Sequence, residues 1–132
     1  MISLAVLCAC VGARTTDVTI GAHRFHVQVA ATKALREHGL MGVKKLAADR
    51  GMLFVWKGVA SREFYMKDTL IPLDLISIRA HKVVGVATMV PCTKDPCPIT
   101  KTPPADAALE VPAGTAKSAG IAAGALVELS AF

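Results

Sequence analysis

Aromatic residues are scarce: they make up 5% of the 132 residues, with one tryptophan, one tyrosine and four phenylalanines. Single-stranded nucleic-acid platforms stack bases on aromatic side chains set among cations, so that kind of surface has little to build on here. The core must come instead from small aliphatic side chains, Ala and Val above all, within a 53% hydrophobic composition. Charged residues reach only 19%, and with so much apolar material to bury the chain is not of the disordered class. A long apolar run is also missing: the uncharged stretch Ile2–Val11 falls far short of the roughly 20 residues that cross a bilayer. No strand–helix–strand period repeats, which argues against a doubly wound parallel sheet. There is no internal repeat and no linker, and the length suits one core.

Ile2–Val11 does have the length of the hydrophobic part of a signal peptide. Leu7-Cys8-Ala9-Cys10 looks like a bacterial lipobox, in which Cys10 would be acylated after cleavage. No Lys or Arg precedes it, and Cys8 is unusual where it stands; a buried first strand is the competing reading. The expectation is a signal or lipoprotein-like segment over residues 1–13, a single domain over residues 17–132, and an extracytoplasmic location with Cys10 as candidate lipid anchor. Of the four cysteines, Cys8 would then leave and Cys10 be lipidated. The pair Cys92 and Cys97 would remain, which suits an oxidising compartment.

Along the chain, Val18 and Ile20, then Phe25, Val27 and Val29, alternate with a parity break at Gly21-Ala22, the mark of a β-hairpin. Thr32 can cap a short helix ending at His38, with Gly39 as terminator. A cation such as His38 suits that end of the helix dipole. Met52–Trp56 reads as a buried strand, with a turn at Lys57-Gly58 before a second run, Glu63–Met66. Leu73–Ile78 and Lys82–Val90 read as strands joined at Ala80-His81. Five of the seven prolines lie between Pro91 and Pro104, so that stretch reads as a loop. Ala107–Val111 is a strand, Thr115 can cap one helical turn closing at Gly120, and Leu126–Leu129 is a last strand. Seven or eight short strands with two short helices predict a mostly β fold, a β-sandwich or partly closed barrel.

Five strings in this order and spacing carry a family resemblance. They are GLM (39–41), GMLFVW (51–56), FYMKDTLIPLDLISI (64–78), PCTKDPCP (91–98) and ALEVPAGTAKSAGI (108–121). Together the chain resembles the DUF192 family from about Asp17 to Leu129. The resemblance implies a compact β-sandwich-like domain, often carried by exported proteins, and no established activity. This chain has Tyr65 where the family usually has Trp, and Asp68 where it usually has Asn. Gly42 and Val43 stand where an aromatic residue and Arg usually follow GLM, so a role resting on that Arg does not transfer.

Lys67, Asp68, Thr69 and Asp74 surround a turn beside Phe64 and Tyr65. A polar cluster at the edge of an apolar strand is a common way to build a cleft, so Tyr65, Lys67, Asp68, Thr69 and Asp74 are the candidate ligand-binding residues. Lys67 would meet an anionic group, and Asp68 and Asp74 would hold hydroxyls. The plainer reading is a surface turn in which Asp68 and Thr69 satisfy loop backbone groups. Cys92 and Cys97 are expected to form a disulfide. Zinc with His23 and His26 is the alternative, disfavoured because an odd offset on a strand points those two rings to opposite faces. Trp56 and the methionines read as core filler, and nothing calls for a cofactor or a metal.

The net charge is +5, concentrated in Lys33, Arg36, Lys44, Lys45, Arg50 and Lys57. The expectation drawn is a non-enzymatic binding or interaction module at the cell envelope, taking a glycan or a partner protein. The second class is a hydrolase or transferase using Asp68 and Asp74 near Lys67, although no His or nucleophilic Ser motif accompanies them. The third, a nucleic-acid binder through the basic stretch 33–57, is the weakest.

Overall fold

The computed structural model describes residues 14–130. The hairpin expected at Gly21-Ala22 forms from β1 (Arg14–Ile20) and β2 (His23–Ala30), paired in register from Arg14 opposite Val29 to Ile20 opposite His23. Gly21 takes φ +59°, a left-handed value that costs a glycine nothing. Chain segment 31–49 then crosses back, carrying α1 (Lys33–His38), and β3 (Arg50–Ala60) lies parallel to β2. A parallel neighbour needs such a crossover. Thr32 Oγ1 accepts from the N–H of Leu35, and Gly39 ends the helix at φ +51°, as its sequence predicts.

The remaining strands are β4 (Glu63–Tyr65), β5 (Leu73–Arg79), β6 (Lys82–Met89), β7 (Ile99–Lys101), β8 (Ala105–Pro112) and β9 (Val127–Leu129). Seven of them make one curled half-barrel sheet in the order β6-β5-β8-β3-β2-β1-β9; β4 and β7 make a separate two-stranded ribbon. Late in the chain, β8 enters between β3 and β5 and runs antiparallel to both. The half-barrel is drawn together by the C-terminal segment. Gly124 and Ala125 exchange hydrogen bonds with Val83 of β6, the N–H of Val127 donates to His81, and β9 then pairs with β1. Of the two expected architectures the structure takes the partly closed barrel.

Three local expectations shift. β3 runs on through Lys57-Gly58 to Ala60 across an irregularity between Val55 and Ala60, because β8 continues to pair with it; beyond it Ser61 and Arg62 bond to Thr102 and the chain passes into β4, paired with β7. The proline-rich stretch holds a short strand, β7, whose non-proline residues Ile99–Lys101 pair with β4. Thr115 lies inside α2 (Thr115–Ser118), and the capping position is Gly114, which has no side chain to offer.

Apolar side chains fill both faces of the sheet. Val18, Ile20, Phe25, Val27, Leu53, Ile76, Ile78, Leu109 and Val111 form the inner cluster. Met52, Phe54, Leu73, Leu75 and Ala108, one residue out of phase, form the outer cluster with Leu40, Met66 and Met89. This period-2 partition explains why β5 is buried from Leu73 through Ile78. The outer cluster is covered by segment 31–49 and by the crossing between β4 and β5, and the candidate site lies where these covers leave a gap.

Candidate ligand-binding site

The gap is a cleft of about 330 Å³ on the outer face. Lys33, Arg36, Glu37 and His38 of α1, with Gly39–Met41 after it, form one wall; Glu63, Phe64 and Tyr65 of β4, with Thr69, form the other. Phe54 and Trp56 of β3 and Glu110 of β8 line its floor. Phe54 and Trp56 are two apart on a strand and so share a face. Phe64 meets both edge-on, its ring centroid 5.2 Å from Phe54 and 6.1 Å from Trp56. The guanidinium of Arg62 stands 4.5 Å from the centre of the Trp56 ring and that of Arg36 5.7 Å, distances at which cation–π attraction operates. Arg36 Nη1 also donates to the Val55 carbonyl at 3.0 Å. Four of the six aromatics are therefore gathered at the cleft, and Tyr65, 46% exposed, is the most accessible of them.

Glu110 is the unexpected member. It stands opposite Met52 on one side and Leu75 on the other, is only 5% exposed, and has no ion-pair or hydrogen-bond partner among the described residues. Burial without compensation raises its pKa from 4.5 to about 8, because the ionised form loses its hydration. A neutral carboxyl can both donate and accept a hydrogen bond. Gly39 lies against it: a Cβ there would come 3.8 Å from Glu110 Oε1. The strings GLM, GMLFVW and ALEVP thus meet at one spot.

The residues expected to bind a ligand fall into three groups. Tyr65 and Thr69 line the cleft. Lys67 and Asp68 serve the neighbouring turn: Lys67 Nζ reaches the Asp95 carboxylate at 3.1 Å and the Thr93 carbonyl at 3.3 Å. Asp68 is exposed at φ +56°, its carbonyl accepting from Gly42 N–H and its own N–H donating to Cys92. Asp74, 2% exposed, faces another direction. Its Oδ1 accepts from Thr88 Oγ1 at 2.7 Å and its Oδ2 from the N–H groups of Gly114 and Ala116, both at 3.0 Å. Asp68 and Asp74 therefore have separate partners, and Asp74's acceptors are occupied by the protein itself.

Cys92 and Cys97 form the expected disulfide, which removes them as zinc ligands. His26 pairs through Nδ1 with Asp17 at 2.6 Å. Among the described residues no three His, Cys, Asp or Glu side chains converge as a metal site would require. Cys10 and the segment proposed as a leader lie outside the described residues. Among the described residues no helix is long and apolar enough to cross a membrane.

Fold and site together define a curled half-barrel domain with one aromatic-walled cleft over a buried carboxyl. The chain belongs to the DUF192 family, described as "Uncharacterized ACR", whose model matches residues 15–129. It is similar to a protein of unknown function from Novosphingobium aromaticivorans, at 30% identity and a TM-score of 0.77 over 88% of this chain and 84% of that one. It is also similar to a candidate transcription regulator from Sinorhizobium meliloti, at 26% identity and a TM-score of 0.76 over 89% of this chain and 93% of that one. No curated protein matches it.

Proposed function

We propose that the chain is a non-enzymatic binding module of the cell envelope, and that the cleft between α1 and β4 takes a neutral, hydroxyl-rich ligand, an envelope glycan. The observation that carries this reading is Glu110: a buried carboxyl without a described partner, set beneath an aromatic wall. Sugars present apolar C–H faces that lie on rings such as Tyr65 and hydroxyls that need a partner able to donate and accept. The cations Lys33 and Arg36 are balanced by Glu37 on the same helix and Glu63 on the opposite wall, so the rim has no dominant charge, which suits an uncharged ligand. The Cys92–Cys97 disulfide supports a location outside a reducing cytoplasm. The intact mass of protein purified from its own cells tests whether Cys10 is acylated.

Amide chemical-shift titration with neutral oligosaccharides of the envelope checks the binding claim. Shifts should gather on Gly39–Met41, Trp56 and Glu63–Tyr65, and Tyr65→Ala should weaken binding about tenfold. Shifts absent from the cleft, or equal affinity in the Tyr65 variant, would overturn it.

The description of the Sinorhizobium meliloti relative keeps a second reading, a nucleic-acid contact through Lys33, Lys44, Lys45, Arg50 and Lys57. Duplex binding whose log affinity falls steeply with log salt would favour that reading.

A further inference from the structure

We infer that the Cys92–Cys97 disulfide is a redox-sensitive latch on the cleft, holding the β4 wall in place when oxidised and releasing it when reduced. The inference rests on the cleft being the binding site, and it concerns the control of that site.

The geometry is an embrace closed by the disulfide. On one side Cys92 grips the turn after β4 with its backbone: its N–H donates to the Met66 carbonyl at 3.2 Å, and its carbonyl accepts from the Asp68 N–H at 3.0 Å. Lys67 reinforces this grip through Thr93 and Asp95. On the other side Cys97 leads directly into β7, where Ile99 pairs with Tyr65 and Lys101 with Glu63. Both arms thus seize the same short segment, 63–69, which supplies Glu63, Phe64, Tyr65 and Thr69 to the cleft. The turn reaches the opposite wall too, because the Asp68 carbonyl accepts from Gly42 N–H at 3.1 Å, just past Met41.

At its base the ribbon is tied by hydrogen bonds between Ser61-Arg62 and Thr102, and Phe64 packs on Phe54 and Trp56; toward its tip the disulfide arms are the added hold. β4 and β7 are three residues each, form their own sheet and do not join the half-barrel, and an isolated two-stranded pair is marginal in water. Both cysteines are partly accessible, and Thr93–Pro96 between them are exposed, so a thiolate can approach the bond. The chemistry is dithiol–disulfide exchange. A thiolate of a partner dithiol attacks one sulfur and the other leaves as a thiolate. The partner's second thiol then resolves the mixed disulfide, so the partner is oxidised by two electrons while Cys92 and Cys97 each gain a proton.

Trp56, the sole tryptophan, reports on the latch because the Phe64 ring of β4 stands edge-on to it. The experiment compares oxidised protein, protein reduced by a dithiol, and the double variant Cys92→Ser with Cys97→Ser, without any ligand. Reduction and the double variant should both shift Trp56 fluorescence. Both should also speed amide exchange of residues 63–69 by about tenfold or more, while β5 and β8 exchange as before. Unchanged exchange in 63–69 would overturn the latch. So would equal loss of protection across β5 and β8, which would make the bond a general staple of the fold. Neither result depends on ligand binding, so failure of the latch and failure of the glycan reading are told apart.

Discussion

The carboxylate of Asp74 accepts a hydrogen bond from the backbone N–H of Ala116, 3.0 Å away and separated by 42 positions in sequence. With the parallel bond from Gly114, it satisfies the opening N–H groups of α2, a helix whose capping residue is a glycine. Thr88 Oγ1 orients the same carboxylate from β6. One buried side chain therefore ties β5, β6 and the α2 turn together. Asp74→Ala strands the buried Ala116 N–H and frees the half-buried Gly114 N–H and Thr88 hydroxyl, and should lower unfolding stability by about 2 kcal/mol, measured by urea denaturation. Asp74→Asn, which keeps one acceptor oxygen, should lose about half as much. A loss below about 1 kcal/mol for the alanine variant would show that α2 is held by other means.

This contact also marks where the sequence stops being legible. Elements fixed by neighbours in the chain are readable. The β1–β2 hairpin shows in its parity break at Gly21, and α1 shows in the Thr32 cap and the Gly39 stop. The cap of α2 is not readable locally, because its acceptor, Asp74, lies on another strand; Thr115 is a plausible cap by composition and is not the one used. The proline-rich stretch hides β7 for a similar reason, since Ile99–Lys101 becomes a strand only by meeting β4. For the cleft, Tyr65 and Thr69 were accessible to sequence reasoning, and Lys67 and Asp68 fell one turn away. Glu110 was missed. A strand alternating as Ala107, Leu109, Val111 invites the reading that the intervening Glu110 faces water. That face is instead covered by α1 and the β4–β5 crossing, a tertiary fact. The available signal was a lone carboxylate inside the otherwise apolar run Ala107–Val111.

Gly51 bears on the backbone of the same residue, Glu110. β3 passes so close to β8 that a Cβ on Gly51 would lie 2.0 Å from the Glu110 carbonyl oxygen and 3.1 Å from Val111 Cγ1. The first of these is backbone, which cannot swing aside. Gly51→Ala should therefore force the two central strands apart and cost more than about 3 kcal/mol. Gly58, around which no atom lies within 4 Å of a Cβ, provides the control: Gly58→Ala should change the thermal midpoint by no more than about 2 °C. Equal midpoints for the two variants would show that the strands tolerate the wider spacing.

Glu110 should leave a signature in the pH dependence of stability. Its pKa rises from 4.5 to about 8 on folding, so between these values the folded state retains a proton that the unfolded state has released. Stability then falls as pH rises through that window, is greatest below pH 4.5 as far as this group is concerned, and levels off above about 8. The difference for such a shift is on the order of a few kcal/mol. Glu110→Gln preserves the shape and the donor–acceptor character of the neutral acid without an ionisable group. It should flatten the fall between pH 5 and 8 and raise the unfolding midpoint near pH 8. The same variant tests the cleft: because the neutral acid is the form proposed to meet a ligand hydroxyl, Glu110→Gln should retain binding at pH 7, whereas Glu110→Ala should lose it. Binding lost in both variants would overturn the neutral-acid contact: an ionised Glu110 would then meet the ligand, accepting from a hydroxyl or pairing with a cation.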